Sequence, residues 1–229
     1  MRKNAIWCIP GAFFLIACVL NLVGSAQGTK LDDLVKPALL PLLCATSMAF
    51  LLGRDVVDYR PVALLAAAQL FGFAGDVLLM PSAGFPLFAS GIGAFLIGHL
   101  YYITLFGRES WKKLGGMAWG FGLVVMLGLV FGLVKLLRIQ GELLIPMAVY
   151  GFTLALLMFS TFCGLVRATR KGTWFILFVG SVLFTFSDSL IAAGTFGVWQ
   201  FPHQGLAIMV TYLIAQSMLA WGSVRLAKS

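Results

Sequence analysis

The chain is a succession of uncharged apolar runs, separated by short stretches that hold most of its charge. Each run is about 20 residues long, the length a helix needs to cross the hydrocarbon core of a bilayer. Eight runs are discernible, at roughly 6–23, 37–52, 61–79, 85–106, 115–134, 143–165, 174–193 and 205–224. They are continuous rather than alternating, which disfavours a membrane β-barrel. The predicted fold class is therefore all-α, a polytopic membrane bundle of eight transmembrane helices in a single domain over residues 1–229. The second run is short and is expected to be tilted or extended at its ends. The loops are too short to fold into a soluble domain. The first run follows a basic start and precedes small residues at Gly24-Ser25-Ala26, the pattern of a cleaved signal peptide. It is long for one, and a retained span is expected.

Composition supports a membrane setting. The 229 residues are 61% hydrophobic and only 10% charged, against about 25% charged in a soluble domain. The formal charge of +8 does not point to nucleic acid, because the basic residues are sorted by loop. With eight spans, one side carries Arg2, Lys3, Arg54, Arg60, Arg108, Lys112, Lys113, Arg167, Arg170, Lys171, Arg225 and Lys228. The other carries Lys30, Lys36, Lys135 and Arg138. That asymmetry predicts that both termini are cytoplasmic. Trp7, Trp111, Trp174, Trp199 and Trp221 fall near span ends, where indole rings anchor at headgroups; Trp119 does not fit. Cys8, Cys18, Cys44 and Cys163 are scattered singly and read as packing residues, without metal or disulfide spacing. Gly116-x-x-x-Gly120 and Gly128-x-x-x-Gly132 in the fifth run are expected to be small-residue helix contacts.

Two residues break the apolar pattern. Asp76 lies in LFGFAGDVLLM and Asp188 in LFTFSDSLIAA, whereas the other six acidic residues are expected in loops. An aspartate mid-span costs roughly 2.5–3.5 kcal/mol on insertion scales. Asn would glue helices without an ionisable group, so two aspartates mark a functional site. Counted at the helical rise, Asp76 lies about 22 Å and Asp188 about 21 Å from the cytoplasmic starts of their spans, in the outer half of the bilayer. Tyr212 is at the same level, with His99 and Gln216 deeper. Offsetting by 112 residues brings Gly75-Asp76-Val77-Leu78 onto Ser187-Asp188-Ser189-Leu190, a faint sign of a 4+4 parallel repeat. Polar stripes at helical spacing (Gln69, Gly72, Asp76; Ser181, Thr185, Asp188; Tyr212, Gln216; His99, Tyr102) must face one another or a wet cavity. Gln69, Ser181 and Thr185 read as helix glue. His99 is open between a hydrogen-bonded core residue and a catalytic or orienting one.

Two carboxylates in a low-dielectric hollow do not ionise together easily, so one is expected to be an acid and the other a base. That division serves hydrolysis of acid-labile C–O bonds and proton-coupled transport equally well.

The chain resembles the lysoplasmalogenase family of eight-span membrane proteins, the YhhN/TMEM86-like group. The resemblance rests on FAGDVLLM, GHLYYI, IPMAVYG, LFTFSDSLIA and MVTYLIAQ, in that order and span placement, and runs from Lys36-Pro37 to the eighth span. It implies hydrolysis of the vinyl ether bond of lysoplasmalogens, giving a fatty aldehyde and a glycerophospho-base, with Asp76 and Asp188 as the catalytic pair and no metal or organic cofactor. Under this reading Tyr212 and His99 orient the pair or the water, and Tyr102, Tyr150 and Gln216 line the substrate pocket. Lys36 is either a phosphate contact or a snorkelling interfacial lysine. The substrate is a lysophospholipid entering laterally from the bilayer; no nucleic-acid partner is expected, and a homodimer is compatible. A bacterial inner membrane is favoured, or the endoplasmic reticulum in a eukaryote. The rival readings are a small proton-coupled transporter or lipid flippase using the same aspartates, and a non-enzymatic scaffold.

Overall fold

The computed structural model describes residues 6–52, 59–80, 85–112, 114–167 and 169–227. Among them are eight helices: α1 Cys8–Gln27, α2 Leu31–Leu52, α3 Arg60–Leu78, α4 Phe85–Ser110, α5 Gly116–Leu136, α6 Leu144–Arg167, α7 Lys171–Thr195 and α8 Gln204–Ala227. A short 3₁₀ turn, Gly141–Leu143, leads into α6. Each of the eight is long and apolar enough to cross a membrane, and the described residues contain no strand. The chain is a multi-pass membrane protein.

Consecutive helices pack as antiparallel neighbours, except that α5 leans chiefly on α6. Helices α4 and α6 pack together, and α8 closes the bundle against α1, α2 and α3. The interior is filled by Trp174, Phe106, Phe184, Leu157, Leu177 and Leu219. Lipid cannot satisfy backbone groups, so each apolar run closes its own hydrogen bonds as a helix. Breaks occur where the chain supplies breakers: Gly28, at φ +63°, caps α1 through its N–H to the Gly24 carbonyl, and Pro61 opens α3.

The expected spans agree with these helices to within a few residues at most ends. α2 is the largest difference, because it starts at Leu31. Its first turn therefore holds Asp32 and Asp33, which are helical rather than in a loop, and Glu109 likewise sits at the end of α4. Pro37 and Pro41 lie inside α2; lacking N–H groups, they leave the carbonyls of Asp33 and Pro37 without helical donors.

Four other expectations change. Trp174 is not an interfacial anchor: it is 0% exposed and stacks edge-on against Phe106, its ring occupying the space left by Gly164. Trp119 falls in the first turn of α5 and pairs with Trp111 across 5.1 Å, so it lies near a helix end after all. The glycines at 116, 120, 128 and 132 meet no neighbouring helix; Gly122 makes the close contact instead, beneath Phe159. Gln69 does bridge helices, donating to the Ser47 hydroxyl at 3.4 Å, as Ser181 and Thr161 do at 2.9 Å. Thr185 only returns a bond to Ser181 O in its own helix.

The described basic residues sort by end. Arg60, Arg108, Arg167, Lys171 and Arg225 lie in the terminal turns at one end of the bundle, where Arg170 joins Glu109 at 3.3 Å and donates to the Arg225 carbonyl at 2.9 Å. Arg2, Lys3, Arg54, Lys113 and Lys228 lie outside the described residues.

Candidate active site

At the opposite end of the bundle, six helix ends surround a cavity of about 380 Å³. They are the C-terminal ends of α1, α3 and α7 and the N-terminal ends of α2, α4 and α8. The volume is in the range of small-molecule sites. Asp76 and Asp188 both line it. The two aspartates, 112 positions apart in the chain, therefore share one hollow, and α3 and α7 run in the same direction. Asp76 is 4% exposed, while Asp188 is half-buried.

Each carboxylate accepts a hydrogen bond from a tyrosine on another helix. The Tyr212 hydroxyl donates to Asp76 Oδ2 at 2.6 Å, and the Tyr150 hydroxyl donates to Asp188 Oδ2. Behind Tyr212 the donors continue in one direction. Gln216 Nε2 donates to the Tyr212 oxygen, and the Tyr102 hydroxyl donates to Gln216 Oε1, both at 3.5 Å. Tyr102 and Gln216 do not line the cavity; they form a tier beneath it. The i,i+4 spacing of Tyr212 and Gln216 produces this stacking, since both project from one face of α8.

His99 also lies outside the cavity lining. Its Nδ1 sits 2.7 Å from the Phe95 carbonyl. A carbonyl only accepts, so Nδ1 carries a proton; in the neutral tautomer this leaves Nε2 as an acceptor. The ring meets Phe184 edge-on at 4.5 Å and Tyr150 at 5.8 Å. His99 thus touches the tyrosine that holds Asp188, not the aspartates. Phe95 forms the apolar floor: its ring fills the space over Gly75 and meets Tyr212 and Phe184 edge-on at 6.3 and 6.1 Å.

Helix α7 is fixed to α8 beside the site. Ser187 donates to the Ile208 carbonyl at 3.0 Å, and Gln204 Nε2 to the Leu190 carbonyl at 2.8 Å. Both bonds hold Asp188 at a set height relative to Tyr212.

The wall made by α1 and α2 holds Asn21, Ser25, Asp32, Asp33 and Lys36. Of these only Lys36 stands out in the sequence. A single Asn in an apolar run reads as glue, and the two acids read as loop residues. On the other side, two small grooves of about 40 and 30 Å³ adjoin Tyr150 and Asp188. They are lined by apolar side chains, including Met147, Ile191, Leu133 and Ile139, and the larger reaches α5. Polar and apolar surroundings therefore meet at Asp188. No three His, Cys, Asp or Glu among the described residues are grouped to hold a metal ion, and all four cysteines are free.

The sequence can be compared with known proteins on this basis. It is 30% identical over 225 residues to lysoplasmalogenase TMEM86B of Homo sapiens, covering 96% of this chain and 87% of that protein. It is 30% identical over 226 residues to the Rattus norvegicus protein of the same name (96% and 84% covered) and 31% identical over 226 residues to that of Mus musculus (96% and 87%). No solved structure matches it. The model of the YhhN family matches residues 31–223, which span every helix but α1 and include both aspartates and both tyrosines that hold them; the chain belongs to the YhhN family.

Proposed function

We propose that this protein hydrolyses the vinyl ether bond of lysoplasmalogens, with Asp76 and Asp188 as the acid–base pair. The observation that carries the reading is the shared cavity: two carboxylates, each held by a tyrosine, at the junction of a polar chamber and apolar grooves. A lysophospholipid has the same division. Its glycerophospho-base suits the wall bearing Lys36, its hydrocarbon tail suits the grooves beside Met147 and Ile191, and the vinyl ether between them would lie beside the aspartates. The relatives named lysoplasmalogenase supply the substrate class.

The chemistry needs one acid and one base. The acid delivers a proton to the β-carbon of the vinyl ether, and the C=C electron pair forms the new C–H bond. The α-carbon and ether oxygen then share the positive charge of an oxocarbenium ion. Water adds to the α-carbon as the base takes its proton. The resulting hemiacetal breaks its bond to the glycerol oxygen, which leaves protonated as an alcohol, and the aldehyde is released. Paired carboxylates act on an oxocarbenium ion similarly in glycoside hydrolysis. Asp76 ends a chain of donors from Tyr102 through Gln216 and Tyr212, and Lys36 lines the same chamber. Because its one direct donor, Tyr212, is itself held by Gln216 and Tyr102, Asp76 is assigned as the base. Asp188, whose one direct donor Tyr150 has no such chain behind it and which borders the apolar grooves, is assigned as the acid.

The transporter reading has less support, because Phe184, Phe106 and Trp174 fill the bundle beyond the site. The test is to incubate purified protein with a lysoplasmalogen and measure free fatty aldehyde, with Asp76→Asn and Asp188→Asn alongside. Aldehyde from the wild type alone supports the hydrolase. Lipid or proton flux in proteoliposomes without aldehyde supports the transporter instead.

A further inference from the structure

The α1–α2 wall of the cavity holds an acceptor with no donor. Asn21 is 0% exposed. Its Nδ2 donates to the Asp32 carbonyl at 3.0 Å, which fixes the orientation of the amide. The remaining atom, Oδ1, is buried without a hydrogen-bond partner, although the residue lines the cavity. Buried polar atoms are almost always paired, so such an atom beside a ligand-sized space is waiting for a donor.

The groups around it are acceptors too. Asp32 and Asp33 are half-buried and line the same wall. Asp32 Oδ1 takes the Asp33 backbone N–H at 2.8 Å, which leaves Asp32 Oδ2 and both Asp33 side-chain oxygens. The Arg170–Glu109 ion pair lies at the other end of the bundle. Lys36 follows within one turn of α2, three residues from Asp33 and four from Asp32. A lysine among these acids disfavours a metal ion and suits a ligand carrying both charges. The close approach of the two helices that creates this wall depends on Gly24, where a Cβ would run into the backbone of Asp32.

A glycerophospho-base is such a ligand. With its phosphate at Lys36, its amine would face the wall that holds Asn21, Asp32 and Asp33. A primary ammonium has three N–H donors for these acceptors, whereas a trimethylammonium has none and is held by aromatic faces. The aromatic residues lining the cavity, Phe88, Phe95 and Tyr212, come from α4 and α8, not from this wall. We infer that the α1–α2 wall is a subsite for a primary ammonium and selects ethanolamine over choline head groups. The identity of the lipid rests on the hydrolase reading above.

Binding can be separated from turnover with saturated 1-alkyl lysophospholipids, which lack a vinyl ether to cleave. The dissociation constants of the ethanolamine and choline forms would be measured on detergent-purified full-length protein. The wild type is expected to hold the ethanolamine form about tenfold more tightly, the size of a lost charge-assisted hydrogen bond. Asn21→Leu and the double variant Asp32→Asn, Asp33→Asn should each bring the two within about twofold. The double variant touches half-buried side chains, so it remains informative if Asn21→Leu does not fold. Equal affinities in the wild type, or a preference that survives the double variant, overturn the subsite. Aldehyde release from true lysoplasmalogens, run in parallel, distinguishes the two claims. Equal affinities with aldehyde overturn the subsite alone, whereas a clear preference without aldehyde retains the subsite and overturns the hydrolase reading.

Discussion

The Tyr212 hydroxyl lies 2.6 Å from Asp76 Oδ2, so the last helix donates directly to a carboxylate carried by the third. The bond is short and one partner is an acid, the class of hydrogen bond with the largest effect. Tyr212→Phe keeps the ring against Phe95 and Phe184 and removes the hydroxyl that donates to Asp76 and accepts from Gln216. Aldehyde release is expected to fall by about 10- to 100-fold, with the melting temperature little changed. A loss confined to stability would remove Tyr212 from the mechanism.

Asp188→Asn and Asp76→Asn test the pair itself. General acid–base groups contribute about 10²- to 10⁴-fold, so each variant should lose at least about 100-fold in kcat while still running as a single species in size-exclusion chromatography. A variant retaining more than a tenth of wild-type turnover would exclude that residue from proton transfer.

Run in D2O, the reaction should place a single deuterium on carbon 2 of the aldehyde, because the proton is delivered to the β-carbon of the vinyl ether. Mass spectrometry of the trapped aldehyde reads this directly. An unlabelled carbon 2 would mean cleavage by another route.

Lys36→Met tests the phosphate contact. A lost charge-assisted bond predicts a KM about tenfold higher with kcat nearly unchanged, and Lys36→Arg should restore much of it. If Lys36 merely snorkels to the interface, both variants will match the wild type.

How much of this was readable beforehand depended on whether rotation mattered. Bilayer thickness sets helix length, so the eight spans followed from hydropathy alone. The two aspartates were equally plain, because acids in an apolar run are costly. Facing is another matter. Tyr150 was expected to line the pocket, but nothing in the IPMAVYG string shows that its hydroxyl meets Asp188. Asn21 was hidden because its meaning depends on Asp32, across the α1–α2 turn. Trp174 misled because position near a span end does not reveal which side of α7 it occupies; it faces the gap over Gly164 and is buried. The spaced glycines of α5 misled in the same way, since their side of the helix faces outward.

Gly24→Val checks the helix approach independently of activity. The added side chain has no room against Asp32 and Leu31, and overpacking of this kind costs about 1–3 kcal/mol. The thermal midpoint should drop by several degrees. A midpoint equal to that of the wild type would mean that α1 and α2 can separate freely.

The chamber draws Asn21 and Ser25 from the first helix and Tyr212 from the last, so it has no partial form. During synthesis Asp76 enters the membrane long before its tyrosine partner leaves the ribosome. Until α8 arrives, that acid must rely on water or lipid headgroups for its hydrogen bonds. On the reading proposed above, competence is thereby tied to the insertion of α8, and a chain stopped after α7 would leave Asp76 without the donor that Tyr212 supplies.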